Sequence, residues 1–450
     1  MNQQTKIKVI GAGLAGCEAA WQAARMGVKV DLYEMKPIKK SPAHSHDGFA
    51  ELVCSNSFRA AALSNAVGLL KEELRTLGSL IMEAADATSV DAGGALAVDR
   101  ERFSAYITEK INFCENINVI HDEVTKLPDD SITVVATGPL TSDALAAELF
   151  ERLGFGTLHF FDAAAPIVDA SSVNYATAFF ASRYGKGEAS YLNCPMNKEE
   201  YDLFYNELVN AKVAELKKFD RDEQEKNPKV FEGCMPVEVM ASRGYETLLF
   251  GPMKPVGLID PRTGKEPFAC VQLRKENDAG TMYNIVGFQT HLTFGEQKRV
   301  FGLIPGLENA SFLRYGVMHR NTFIDSPRLL DSHYALKCDP DLYFAGQMTG
   351  VEGYIESCSS GFLAGLNAAR KALGLDQTEF PDLTAIGALS HYVSNTSIVN
   401  FQPMNVNFGI IAPPEQRIKG GKTAKNLYLA ERALTKVKEL AEIYGLAKGE

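Results

Sequence analysis

Lys6-Ile-Lys-Val-Ile10 runs straight into Gly11-Ala12-Gly13-Leu14-Ala15-Gly16, and a strand that breaks on three glycines at this spacing constrains the whole N-terminal part of the chain. Gly11 permits the tight turn, Gly13 keeps a Cβ out of the path of a diphosphate, and Gly16 lets the next helix pack closely on the strand. The helix N-terminus aims N–H groups and a partial positive charge at the same point. Such a turn is weak evidence by itself, and its flanks strengthen it. Residues 17–27 read as a small-residue helix stopped by Gly27, and residues 28–33 alternate into a second strand. Glu34 closes that strand 18 residues after Gly16, where a carboxylate accepts hydrogen bonds from ribose hydroxyls and repels a 2′-phosphate. A Rossmann-like α/β domain with a bound dinucleotide is the expectation.

A chain of 450 residues with 46% hydrophobic residues can bury a large core and is expected to divide into two domains. No apolar run approaches the roughly 18 residues of a membrane span, and Met1–Thr5 lack the apolar core of a signal peptide, so a cytoplasmic protein with no membrane partner is expected. The eight cysteines include no pair closer than 20 residues, hence no C-x-x-C clip, and most are expected to be reduced, buried thiols. His44 and His46 have metal-like spacing but no acidic or cysteine complement, and read as a loop pair with no metal. The net charge of −10 argues against indiscriminate nucleic-acid binding. It leaves room for a local basic face: Arg417-Ile-Lys-Gly-Gly-Lys-Thr-Ala-Lys425 is either a solvated loop or part of such a face.

Residues 35–60 carry few aliphatics and many special residues, which makes them a candidate active-site loop. A helix is expected at about 66–86, another at 99–112 behind a polar cap, and a buried parallel strand at 132–138 ending on Gly138. From 163 to 310 the texture changes to short β-like runs, such as 248–250 and 283–288, with a charged helix near 198–220. The Rossmann-like half resumes at Asp341-Leu-Tyr-Phe-Ala-Gly346-Gln347-Met-Thr-Gly350 and a small-residue helix through Ala369. The expected organisation is an FAD-binding domain of the glutathione-reductase type over 1–162 and 311–450, with an inserted α+β substrate or RNA domain over 163–310 and a C-terminal helix. Glycine turns after strands at 11–16, 136–138 and 345–350 let backbone approach a ring and a phosphate closely, which suits FAD better than a nicotinamide.

Five segments together resemble the folate- and FAD-dependent tRNA (uracil-5-)-methyltransferases, the TrmFO family. They are residues 9–19, Glu51-Leu-Val-Cys54-Ser-Asn-Ser-Phe-Arg59, Phe231-Glu-Gly-Cys234-Met-Pro-Val-Glu238, residues 251–258 and residues 343–357. The larger GidA (MnmG) wobble-uridine enzymes share the FAD strands, but the cysteine segments resemble TrmFO. The resemblance implies 5,10-methylenetetrahydrofolate as carbon donor, reduced FAD as electron source, NAD(P)H as co-substrate, and uridine 54 in the tRNA T-loop as target.

It also implies that Cys54 and Cys234 are the reactive pair. Uracil carbon 5 is a poor nucleophile until a thiolate adds at carbon 6, and a second group must later take the carbon-5 proton. Cys234 is favoured as nucleophile and Cys54 as base, with the exchange of roles open. His291 resembles the family histidine that stacks on the folate pterin, and Glu356 is a candidate for the pterin edge. Arg183, Lys186, Arg243, Lys254, Arg274, Lys298, Arg299 and Arg314 are available for RNA. Three other readings stay open at this point: the same chemistry on ribosomal RNA, a plain NAD(P)H-dependent flavin oxidoreductase, and a flavin-bearing RNA-binding module without catalysis. Oligomeric state is not legible.

Overall fold

The computed structural model describes residues 6–41, 43–153, 158–163, 165–185, 188–214, 235–316, 318–398 and 401–446. Cys234 and Lys186 lie outside the described residues.

The strand Lys6–Ile10 lies near the middle of a six-stranded sheet ordered Ala335–Leu336, Asp339–Phe344, Thr133–Val135, Lys6–Ile10, Lys29–Glu34, Ile117–His121. All neighbours in it are parallel except the Ala335–Leu336 edge. Central strands of a parallel sheet are covered on both faces, which is why Val9, Val30, Leu32, Val134 and Val135 are almost fully enclosed. The helices Leu14–Arg25 and Tyr354–Ala372 pack backbone to backbone against one another. A Cβ on Gly361 would come 2.2 Å from the Ala15 carbonyl oxygen, and one on Gly365 would come 2.4 Å from the Ala19 Cα. The two small-residue runs are therefore a matched pair, and their contact brings the glycine turns that precede each helix together.

A second six-stranded sheet is wholly antiparallel, in the order Phe179–Ala181, Tyr191–Met196, Ala269–Lys275, Met282–Ile285, Ile167–Asp169, Phe312–Arg314. It has its own core around Leu192, Tyr201, Phe204, Val271, Phe288 and Phe301, distinct from the core beneath the parallel sheet. Between the two, Leu158–Ala163 pairs antiparallel with Met318–Phe323. The architecture is α/β, a Rossmann-type sheet with an antiparallel sheet inserted in the chain.

Three local expectations are corrected. The helix expected over 66–86 is two helices, Ala66–Thr76 and Leu80–Ala87. Gly78 turns left-handed between them and the Ser79 hydroxyl caps the second by accepting from the Met82 N–H. The run 248–250 is a helical turn, Thr247–Phe250, that buries Leu248 and exposes Phe250; three apolar residues carry no period by which to tell the two apart. The basic loop ends at Gly420, so Lys422 and Lys425 begin the helix Gly421–Tyr444.

Candidate active site

Residues 11–15 of the first glycine turn, with 136–138 and 346–347, line one pocket of about 1090 Å³, part of it open to solvent. Each position has its own reason. Gly11 sits at φ +100, with Ala136 O only 2.7 Å from where its Cβ would be. A Cβ on Gly16 would fall 1.7 Å from the Gly11 carbonyl oxygen, so that glycine serves helix-to-strand packing. A Cβ on Gly13 would meet no protein atom within 4 Å, yet Gly13 lines the pocket. Its bare backbone therefore answers to something other than the protein, as a diphosphate cradle requires. Ala12, Leu14 and Ala15 line the same wall, placing the first turn of the helix Leu14–Arg25 on the pocket.

Glu34 lies on that wall too, nearly buried, with Oε2 accepting from the Ala12 N–H and Oε1 from the Lys36 N–H, both at 2.9 Å. An ionised carboxylate has about four acceptor positions, so two remain for ribose hydroxyls. Gly138, Gly346 and Gln347 line the same pocket, and a Cβ on Gly346 would come 3.2 Å from Ala15 Cβ. The Gly346 N–H donates to the Ser360 hydroxyl at 2.7 Å, and the Gln347 amide donates to both oxygens of Glu352 at 2.9 Å. These residues fit FAD: a carboxylate for a ribose, bare backbone and a helix N-terminus for phosphates, and further glycine backbone beside them.

Tyr354 and Val53 also line the pocket, next to Cys54, a half-buried thiol. The half-buried Tyr354 hydroxyl accepts from the backbone N–H of Cys54 and of Ser55. Burial and the neighbouring Cys54 raise its pKa, so it remains a neutral phenol. The antiparallel sheet grips the following residues. Arg274 Nε donates to Asn56 Oδ1 at 3.0 Å and its Nη2 to the Ser55 hydroxyl at 2.8 Å, and the Asn56 amide donates to the Lys275 carbonyl at 3.0 Å. Arg100 donates to the Leu52 carbonyl and to Glu276, 2.5 Å in each case. Burial, the largest single effect, would lower the Arg100 pKa, but Glu276 with Tyr354 and Cys54 together raise it. Cys54 is thus held between the cofactor pocket and the inserted sheet. No disulfide joins the described cysteines.

His291 is half-buried on the inserted domain, its backbone N–H donating to Glu238 Oε1 at 2.7 Å, and burial lowers its pKa so that the ring is neutral near pH 7. Met235–Glu238, which follow Cys234 in the chain, run beside it: the Val237 N–H donates to the Gln289 carbonyl at 2.7 Å. Glu356 is fully enclosed, with Oε1 paired to Arg59 and accepting from the Val406 N–H, while Oε2 has no hydrogen-bond partner. Arg59 therefore already occupies one oxygen of the carboxylate expected at a pterin edge.

Several residues were not picked out from the sequence as part of this site. Arg100 and Glu276 carry no motif of their own, and Tyr354 lies within the family-like run 343–357 with no role assigned to it there. Arg274, available there for RNA, is buried and spent on Ser55 and Asn56; its place in the otherwise uncharged run Ala-Cys-Val-Gln-Leu-Arg was the signal. His44, read as one of a loop pair, lines both the cofactor pocket and an adjoining cleft. Among the described residues no group of three His, Cys, Asp or Glu could hold a metal, and no helix is long and apolar enough to cross a membrane.

Known proteins resemble the chain at two levels. The family model described as glucose inhibited division protein A matches residues 6–376. Curated proteins described as methylenetetrahydrofolate–tRNA-(uracil-5-)-methyltransferase TrmFO align almost end to end. The one from Acetivibrio thermocellus is 64% identical, covering 97% of this chain and 99% of the relative. That from Ligilactobacillus salivarius is 58% identical (97% and 98%), and one from Listeria monocytogenes is 57% identical (98% and 99%). Among solved structures, Aquifex aeolicus GidA in its form I crystal superposes with a TM-score of 0.71 at 18% identity, over 98% of this chain and 76% of that one. The last likeness is one of fold.

Proposed function

This chain belongs to the TrmFO family of methylenetetrahydrofolate–tRNA-(uracil-5-)-methyltransferases, within the wider glucose inhibited division protein A family, and we propose that it methylates carbon 5 of uridine 54 in the T-loop of tRNA. The carbon comes from 5,10-methylenetetrahydrofolate, the electrons from reduced FAD, and the reaction runs in the cytoplasm. One observation carries the reading: three glycine turns distant in sequence line a single pocket, and Tyr354 on that pocket binds the backbone of Cys54.

FAD is assigned to the residues around that pocket: Gly11, Ala12, Gly13, Leu14, Ala15, Gly16, Glu34, Gly138, Gly346 and Gln347. When bound, the flavin supplies the two electrons that turn a transferred methylene into a methyl group. NADH or NADPH is the reductant we assign to it, binding transiently, since the sequence holds no second complete G-x-G-x-x-G.

The chain's own residues prepare the uracil. A Cys234 thiolate adds to carbon 6, the ring electrons shift to give an enolate, and carbon 5 then bonds to the folate-borne carbon. Cys54 takes the carbon-5 proton, the bond from the new carbon to the folate nitrogen breaks, and the thiolate leaves carbon 6 once the methyl group is complete. The Tyr354 and Arg274 contacts fix the segment that carries the base. His291, neutral and half-buried, is assigned to the pterin face.

The test uses Cys54→Ala and Cys234→Ala, each purified with FAD, and follows label from methylenetetrahydrofolate into tRNA. Both variants should keep the flavin and transfer no label. Full activity in either would remove that cysteine from the mechanism.

A further inference from the structure

Beside the cofactor pocket, and sharing His44 with it, lies a second cleft of about 1140 Å³ between the parallel sheet and the inserted domain. On its inserted-domain side stand Phe294, Arg314 and Tyr315. Three rings form a ladder there. Phe294 stacks on Tyr315 with centroids 4.6 Å apart and planes 18° apart, and Tyr315 stacks on Phe312 at 5.2 Å and 6°. The ladder ends at Phe294, the first residue of the helix Phe294–Phe301, which is 55% exposed. With one face covered by Tyr315, that exposure leaves the other face open.

Cations stand near the open ring. Lys298 is one turn along the same helix face as Phe294 and is exposed. Arg314 lines the same cleft, its Nη2 donating to the Ala43 carbonyl at 3.4 Å. Arg299, by contrast, is spent on Glu296 and Glu207. The carboxylate of Glu276 in the same cleft is matched by Arg100.

An open aromatic face with a lysine one turn away and an arginine in the same cleft is the chemistry that holds one nucleotide of an unstacked strand, the ring taking the base and the cations its phosphates. A protein of net charge −10 needs such local sites to hold RNA at all. Resting on the reading of tRNA as substrate, we propose that Phe294 is a stacking platform for a nucleobase of the tRNA next to the everted uridine, with Lys298 and Arg314 on the adjoining phosphates. Eversion leaves a neighbouring base with one face bare, and the ladder Phe294–Tyr315–Phe312 continues the interrupted stack.

Dissociation constants for the tRNA transcript, measured without folate, test this with Phe294→Ala, Phe294→Tyr and Lys298→Ala. Loss of the ring should weaken binding about tenfold, and tyrosine should restore it to within about twofold. Removing Lys298 should lower the slope of log affinity against log salt by about one. FAD content and the KM for methylenetetrahydrofolate should stay at wild-type values, because Phe294 is exposed and outside the cofactor pocket. Unchanged tRNA affinity in Phe294→Ala overturns the proposal, as does a raised folate KM with tRNA affinity intact, which would give the ring to folate. A wild-type chain that binds no tRNA would contradict the functional reading itself, a different outcome from a variant that binds as well as wild type.

Discussion

Tyr354 holds Cys54 by its backbone: one half-buried phenol oxygen accepts the N–H of Cys54 at 2.9 Å and that of Ser55 at 3.1 Å. The tyrosine opens the helix Tyr354–Ala372, whose glycines lock it to the helix of the first glycine turn. The thiol is thereby indexed to the cofactor pocket through one rigid helix pair.

Tyr354→Phe should keep the ring, and with it the pocket wall and the packing on Phe58, but strand two N–H groups without their acceptor. Losing the acceptor for these half-buried donors costs about 1 kcal/mol, the low end of the range for a buried donor, so kcat for methylation should fall several-fold while FAD stays bound. Steady-state rates together with flavin absorbance of the purified variant check this.

Gly13 and Gly16 stand three residues apart and should fail differently. Gly13→Ala adds a Cβ into space free of protein atoms, at a helix N-cap where alanine costs about 1 kcal/mol, so the variant should fold and lose affinity for FAD. Gly16→Ala puts a Cβ 1.7 Å from the Gly11 carbonyl oxygen and should be poorly folded whether or not flavin is added. Thermal unfolding with and without FAD separates the two.

Arg274→Lys should not substitute for arginine. Two nitrogens of one planar group reach Asn56 and Ser55 at once, which a single ammonium cannot reproduce. The expected result is wild-type flavin content, a lower kcat, and a changed alkylation rate of Cys54, read by mass spectrometry on the peptide that carries it.

Glu73 gives a pH signature remote from the chemistry. Its carboxylate accepts from the N–H groups of Ala385 and Ile386, and burial pushes its pKa from 4.5 to about 7. Between those values the folded chain holds a proton that the unfolded chain has released, so this group makes stability fall as pH rises from 4.5 to about 7. Glu73→Gln should flatten that part of the curve in denaturant titrations across the window. An unchanged slope would show that Glu73 does not carry it.

The parallel sheet was legible because its strands announce themselves: a near-continuous apolar run ends in a glycine turn at Gly11 and again at Gly138. The convergence of three such turns on one pocket follows from the contact of two small-residue helices, whose glycines are visible in the sequence although their mutual packing is not. Cys54 was picked out by resemblance alone, since a cysteine carries no local pattern. Its environment was not legible, because Arg100, the Arg274–Glu276 stretch and Tyr354 arrive from three remote segments, and a polar residue reads the same at the surface as in a buried clamp. The split at Gly78 went unread because the apolar spacing continues through Leu77 and Leu80 into Ile81.

The central claim is methylation of one uridine with folate carbon. The most direct measurement offers the FAD-loaded chain, NADPH and carbon-labelled methylenetetrahydrofolate to a tRNA transcript and to the same transcript with cytidine at position 54. The account predicts label in 5-methyluridine at position 54 of the first transcript and none in the second. Label in both transcripts, or in neither, would contradict it.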